Sequence, residues 1–186
     1  DVQPPLWKLN TSSVVCLSER HVVCIETERA TDHLLVLDRA KQTRTRVETP
    51  YTRMEQLRTL GPESSSVVLI ASSAIEPPAL VALDLAPVLA DAPAHVLLKP
   101  TVLQRSSQSS LPAEYISTPE AISFPTRARS GADATAHALV YAPKNPQFHG
   151  PAEERPPCRI VVHGGPTAAA APCLDLGIQY WTTRGW

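Results

Sequence analysis

The chain has 186 residues, 43% of them hydrophobic and 19% charged, with a formal net charge of −1. This is a globular composition, and Lys, Arg, Asp and Glu are scattered along the chain, so there is no basic patch of the kind that grips a phosphate backbone and nucleic acid is not an expected partner. No apolar run approaches the ~20 residues that cross a bilayer, and residues 1–10 carry no charged segment followed by an apolar one, so neither membrane association nor a leader is expected.

The first hundred residues contain an internal repeat. Val22-Val23-Cys24-Ile25 recurs as Val67-Val68-Leu69-Ile70, 45 residues on, and Leu34-Leu35-Val36-Leu37-Asp38 recurs as Leu80-Val81-Ala82-Leu83-Asp84, 46 residues on. Each copy is made of short runs of β-branched residues and Leu between polar or Pro/Gly-containing turns, which is the signature of strands. Strands are expected at 14–17, 21–27, 33–38 and 45–48 in the first copy, and at 54–59, 66–72, 79–85 and 95–99 in the second. Four strands in ~45 residues is the size of one β-propeller blade. An eight-stranded sandwich or barrel is the competing arrangement, because it too spaces strands every 8–12 residues. Two blades do not close a ring, so further blades are expected before Asp1. Asp38 and Asp84 each end a Leu-rich strand, where a carboxylate can accept backbone N–H groups of the following turn.

Cys16, Cys24, Cys158 and Cys173 have neither C-x-x-C spacing nor a partnering His, so buried free thiols are expected and zinc is not. Cys16 and Cys24 could face one another across a hairpin, which would permit a disulfide in an oxidising compartment. Nothing else points to secretion, and the expected location is cytoplasmic. No cofactor is expected.

From Gln104 to Pro119 the composition turns Ser- and Gln-rich, which marks a linker. Beyond it, the alternating runs that start at Glu120 and Ala136 read as half-buried antiparallel strands, with the hairpin between them over 127–135, which contains Ser130-Gly131. A Pro-rich loop then leads to Cys158-Arg159-Ile160-Val161-Val162-His163-Gly164-Gly165-Pro166-Thr167. The continuous apolar run is expected to be a strand buried on both faces, as in the central sheet of an α/β fold. Its exit into His-Gly-Gly-Pro lies where such sheets bind substrate. Leu174, Ile178 and Trp181 then align one face of a helix expected over 174–184, and Gly185 suits its C-terminal cap.

An H-G-G loop after an early strand of an α/β-hydrolase donates a backbone N–H to the oxyanion formed when serine attacks a carbonyl. On that chemistry Gly165 is the expected donor, Gly164 makes room for it, and His163 shapes the turn through its ring. A tight turn with no catalytic meaning is the plain alternative. No Gly-x-Ser-x-Gly occurs in the chain, so no nucleophile is expected within it, and the segment alone is expected to be inactive.

The residues Pro119-Glu-Ala-Ile-Ser-Phe-Pro, Leu139-Val-Tyr-Ala-Pro-Lys-Asn-Pro, Val161-Val-His-Gly-Gly-Pro-Thr and Gln179-Tyr-Trp-Thr-Thr-Arg-Gly-Trp resemble the start of the peptidase domain of the prolyl oligopeptidase family. The likeness is nearest to its acylaminoacyl-peptidase and dipeptidyl-peptidase-like branch. Ile75-Glu-Pro-Pro-Ala-Leu-Val-Ala-Leu-Asp-Leu resembles the last blades of that family's propeller.

The resemblance implies propeller blades over 1–105, a linker over 106–119 and the N-terminal part of an α/β-hydrolase domain over 120–186. It implies a serine-type peptidase acting on short peptides or N-terminal (acyl)aminoacyl bonds, with the Ser/Asp/His triad after residue 186. Only the oxyanion-loop position, His163, Gly164 and Gly165, carries over onto this sequence. The chain opens at Asp1 without Met and stops at Trp186 directly after the expected helix, so residues are expected on both sides, although processing of a precursor would explain the N-terminal end equally well. A β-rich non-catalytic interaction module and an α/β-hydrolase esterase are the other readings, although the repeat ahead of the turn counts against the esterase.

Overall fold

The computed structural model describes residues 9–61, 64–90, 95–108, 111–165 and 168–186. The expected linker therefore lies partly outside the described residues, as do Pro166 and Thr167. Two β-sheets dominate.

The first sheet is a meander of β1 (Val14–Cys16), β2 (His21–Glu28), β3 (Thr31–Asp38) and β4 (Thr43–Glu48), each antiparallel to its neighbour. The second begins the same way, with β5 (Arg53–Thr59), β6 (Ser66–Ser72) and β7 (Ala79–Asp84). These seven strands lie where the repeat places them, within two residues at each end.

The last strand of the second copy differs. Residues 95–99 were expected to complete the second sheet, but β8 (His95–Leu97) instead pairs parallel with β4 at the edge of the first, with Val47 opposite Val96. The fourth place in the second sheet goes to β9 (Thr101–Arg105), antiparallel to β7. The cause lies just after β7. A short helix, α1 (Ala86–Leu89), has Pro at its N-terminus and buries Val88, so the chain leaves the edge of β7 before it can turn back.

The sheets pack face to face. Val23, Ile25, Leu34, Val36 and Val47 of the first meet Met54, Leu57, Val67, Leu69, Val81 and Leu83 of the second in one buried cluster. A bulge in β5 makes this match possible. In a regular strand Gln56 would share the face of Met54, but Gln56 sits at φ 57° and the register shifts between Glu55 and Arg58, so Leu57 turns inward instead.

The repeat also fixes how the sheets stack. Val23 and Ile25 face the second sheet, and their counterparts 45 residues later, Val68 and Ile70, lie on the face of the second sheet that points away from the first. Equivalent faces thus point the same way in both sheets, a head-to-tail stack that leaves Ile70 and Leu80 exposed.

One turn is locally unfavourable. The pair Glu28 and Thr31 closes a two-residue loop in which Arg29 and Ala30 have φ of 48° and 66°. A loop of this kind matches the strand twist but favours Asn-Gly, since L side chains pay for the left-handed region. The double substitution Arg29→Asn/Ala30→Gly is expected to raise stability by about 1 kcal/mol, read as a higher midpoint in urea.

Asp38 and Asp84 serve the turns as expected. Asp38 accepts from the backbone N–H of Ala40 and Lys41, and Asp84 from that of Ala86. The cysteines are all free, but only Cys24 is fully buried, whereas Cys16 and Cys158 are exposed and Cys173 is half-buried. Cys16 pairs with Val22, and Cys24 with Val14, so the two thiols are diagonal neighbours rather than opposite one another.

The rest of the chain holds little regular structure. β10 (Glu120–Arg127) and β11 (Asp133–Val140) form the expected hairpin, paired only with each other and exposed along most of its length. The expected helix is observed as α2 (Leu176–Thr182). The chain is mostly β-sheet, and the α/β-hydrolase portion expected over 120–186 is not evident among the described residues.

Candidate functional site

The turn at residues 163–165 leaves an extended run, residues 158–162, that belongs to no ladder. Its apolar residues Ile160, Val161 and Val162 are 83%, 78% and 82% exposed, so the expected strand buried on both faces is not what the structure shows. Such burial needs a neighbour on each edge and a layer on each face. Among the described residues no strand lies beside this run.

Gly165 has φ +75°, the left-handed region where glycine carries no penalty, and a Cβ at Gly164 or Gly165 would meet nothing within 4 Å. His163 is exposed, and among the described residues its ring makes no hydrogen bond. The expected shaping of the turn by that ring is therefore not observed. The three residues form an open turn with room for a ligand close to the backbone.

What anchors the run is its first basic residue. The Arg159 guanidinium lies over the indole of Trp181 in α2, 4.7 Å from the ring centroid. At an exposed site such a contact contributes roughly 0.5–1 kcal/mol.

The helix it rests on is well secured. Asp175 caps its N-terminus by accepting from the N–H of Gly177 and Ile178 at 2.7 and 3.2 Å. At the other end Gly185 takes φ +88°, its N–H reaches the Thr182 carbonyl and the Trp186 N–H reaches the Trp181 carbonyl, which is a Schellman closure. The ring of Trp186 packs on Trp181 with centroids 5.3 Å apart, the apolar contact that accompanies this cap.

The buried face of α2 is not the one its apolar residues suggest. Ile178 and Trp181 are half-buried, whereas Gln179 is 2% exposed. Its amide accepts from the Ser117 N–H at 2.8 Å and donates to the Ser117 carbonyl at 3.0 Å, as a paired strand would. Lys144 adds bonds from its Nζ to the carbonyls of Ala113 and Ile116, and the Ser117 hydroxyl donates to Ala142. Ahead of the helix, the Leu174 N–H donates to the Ser73 carbonyl and the Thr52 hydroxyl to the Pro172 carbonyl, which ties the residues leading into α2 to those beside the ends of β6 and β5. Burial pushes the Tyr141 hydroxyl up to about 12, with smaller contributions from Cys173 and Asp175, and burial also raises the Cys173 thiol. Cys173 therefore stays a protonated packing group rather than a nucleophile.

Two serine–histidine contacts were not singled out by the sequence. Ser18 Oγ is 3.5 Å from His21 Nδ1, and His21 Nε2 is 3.7 Å from Asp38, so the three line up in the order of a hydrolytic triad. Their bonds are committed elsewhere. Ser18 Oγ accepts from the N–H groups of Arg20 and His21, and Asp38 is held by Arg20. The Arg20 guanidinium keeps the Asp38 carboxyl well below the usual carboxylate range, against a desolvation cost and aided by the Lys41 and Ala40 N–H groups. Asp38 stabilises this corner in its ionised form. The folded-state pKa is below the unfolded one, so the contribution is complete above about pH 4 and drains away as pH falls below it. Asp38→Asn is expected to flatten the loss of stability between roughly pH 5 and 2, followed by urea unfolding at each pH.

The second contact, Ser123 Oγ to His137 Nδ1 at 2.8 Å, joins opposed residues of the exposed β10–β11 hairpin. Ala121, Leu139, Pro125 and Thr135 flank it on the same face, so no carboxylate there orients the imidazole. Among the described residues no group of His, Cys, Asp or Glu is arranged to hold a metal, and no helix is long and apolar enough to cross a membrane.

Comparison with known proteins gives a consistent picture. The fold matches a puromycin-hydrolysing peptidase from Mycobacterium tuberculosis with a TM-score of 0.81 and 27% identity, covering 100% of this chain and 26% of that one. A puromycin hydrolase matches with a TM-score of 0.78 and 25% identity, over 100% of this chain and 25% of that one. A mutant of the puromycin hydrolase complexed with PGG gives 0.76 and 25% over the same shares. The chain thus spans about a quarter of the length of the solved structures it matches, and it resembles part of peptide-hydrolysing serine peptidases of the prolyl oligopeptidase family. No family model and no curated protein sequence matches it.

Proposed function

We propose that the chain is a segment of a serine-type peptidase that cleaves short peptides or N-terminal (acyl)aminoacyl bonds. Residues 1–105 are the last two blades of its β-propeller, 106–119 a linker, and 120–186 the start of an α/β-hydrolase domain whose Ser, Asp and His triad follows residue 186. The observation that carries this reading is the match of the entire chain to one stretch of a puromycin-hydrolysing peptidase. The head-to-tail stacking of the two sheets supports the blade assignment, because each repeat presents the same face to the next and the stack can continue on Ile70 and Leu80.

In this reading residues 163–165 are the oxyanion loop. As the serine oxygen adds to the substrate carbonyl, negative charge gathers on the carbonyl oxygen, and the Gly165 N–H donates to it. A donor fixed beforehand at that position stabilises the transition state more than the ground state, which is what raises kcat. Gly164 carries no side chain to obstruct the substrate, and the exposed run at 160–162 takes its place in a sheet completed by strands that follow.

The test is a fluorophosphonate probe together with peptidyl and aminoacyl amides, applied to the full-length protein that contains this segment. Labelling and amide hydrolysis are expected. A full-length protein that turns over short acyl esters but no amide, or that reacts with no probe, would refute the peptidase reading.

A further inference from the structure

We infer that the face of the first sheet turned away from the second seats the preceding repeat of the full-length protein partly through charged groups, so that the stack parts at this junction before it parts between the two described sheets. The inference rests on the blade reading of residues 1–105.

The head-to-tail stack fixes which face this is. Val22, Cys24, Leu35 and Leu37 lie on it, and their counterparts Val67, Leu69, Val81 and Leu83 lie on the face of the second sheet that the first one covers. The two faces agree over this apolar half and differ beyond it. Where the second sheet pairs Ala71 with Ala79, both buried under the first, the first sheet pairs Glu26 with His33.

Two Arg–Glu bridges cross the central strand β3 here. Arg44 of β4 reaches Glu26 of β2 at 2.8 Å, and the registers place Leu35 on the line between them. Arg46 lies 3.7 Å from Glu28 on a parallel diagonal over His33, whose ring its guanidinium also meets. The first bridge accounts for the burial of Cys24 and Leu35, on which no sheet is stacked among the described residues.

A sheet that docks on this face must cover ionised side chains that already have partners. Their lost hydration is regained only in part, whereas the same positions of the second sheet bury only methyl groups. The two junctions are thus unequal. Val22 and Leu37, half-buried in this segment, give the preceding repeat its seat, and the charged half weakens it. The second sheet is tied through Thr52 and Ser73 to residues 172–174, so both sheets stay with the residues that follow when the stack parts on the far side of the first.

Val22 and Val67 hold the same place in the two copies, and cysteine is close to valine in size, so Val22→Cys and Val67→Cys in the full-length protein give a matched pair of thiols. Labelling by N-ethylmaleimide, located by peptide mass, reads how often each junction opens. Val22→Cys is expected to react about 100-fold more slowly than in urea-unfolded protein, because the preceding repeat covers it, yet at least about 10-fold faster than Val67→Cys. Glu26→Leu leaves Arg44 without its partner under the docked repeat and speeds labelling at position 22. Glu26→Leu/Arg44→Leu returns it to the wild-type rate or below, with position 67 unchanged.

A Val22→Cys thiol that labels within about 10-fold of the unfolded rate would mean that nothing docks there. One that labels as slowly as position 67 would mean that the junctions are equal. Either result overturns the inference, as does a double variant that labels no more slowly than Glu26→Leu. The blade reading fails on a different observation, the absence of further four-stranded repeats upstream of this segment in the full-length protein, and the inference then falls with it.

Discussion

Replacing Asp32 with alanine is expected to cost about 3 kcal/mol of folding free energy. The side chain is 1% exposed and sits at the start of β3, where the first sheet meets β5 of the second. One carboxylate oxygen accepts the Thr27 hydroxyl at 2.6 Å and the other accepts the Met54 N–H at 2.8 Å, while Arg53 lies 3.5 Å away. Alanine leaves the buried Met54 N–H without its acceptor, removes the carboxylate that accepts the Thr27 hydroxyl, and takes from Arg53 the more distant of its two carboxylates, the other being Glu55. Burying such groups unpaired is what makes the loss larger than the net worth of the bonds themselves. Asp32→Asn keeps the shape but presents one donor where an acceptor is needed, so a smaller loss is expected. Urea unfolding measures both, and a change under about 0.5 kcal/mol for alanine, the range of neutral surface substitutions, would mean that the sheet junction does not depend on this carboxylate.

The second large effect is on activity. Gly165→Val in the full-length protein is expected to cut kcat by about 10²–10³, the range seen when one oxyanion donor is lost, with little change in KM. The mechanism is backbone conformation rather than crowding, since a Cβ at Gly165 meets nothing within 4 Å but φ is +75°. A β-branched residue is costly in that region, so the turn relaxes and the N–H leaves its place. Asn tolerates the left-handed region, and Gly165→Asn is expected to retain more activity than the Val variant. Steady-state kinetics on an amide substrate decides between this account and an inert turn, for which all three proteins would be equal.

Much of the two-sheet region was legible in the sequence because each strand there has one buried face, so its apolar residues alternate or cluster in ways a period of two exposes. The repeat doubled that signal. It failed at residues 95–105, where pairing is decided by the route of the chain after Pro87 rather than by local pattern: β8 joins a sheet whose other strands lie far back in sequence, and β9 arises from residues too polar to stand out. The phase change at Gln56 was equally hidden, since a bulge is a property of the partner strand as much as of its own residues.

In the last third of the chain the pattern at 158–162 carried an expectation of burial that the described residues do not meet, for the apolar run has no neighbours to be buried by. Gly185 was readable because a helix that ends on glycine follows a simple steric rule. Gln179 was not. Its amide replaces a backbone pairing with Ser117, 62 residues earlier, and no local rule distinguishes such a Gln from one in solvent.

The measurement that tests the central claim most directly is the sequence of the transcript on both sides of this segment. A reading frame that continues past Trp186 through another apolar strand to a Gly-x-Ser-x-Gly elbow, with further four-stranded repeats upstream of Asp1, is the predicted result. A stop codon directly after Trp186 would contradict it, because the His163-Gly164-Gly165 turn would then have no serine to serve.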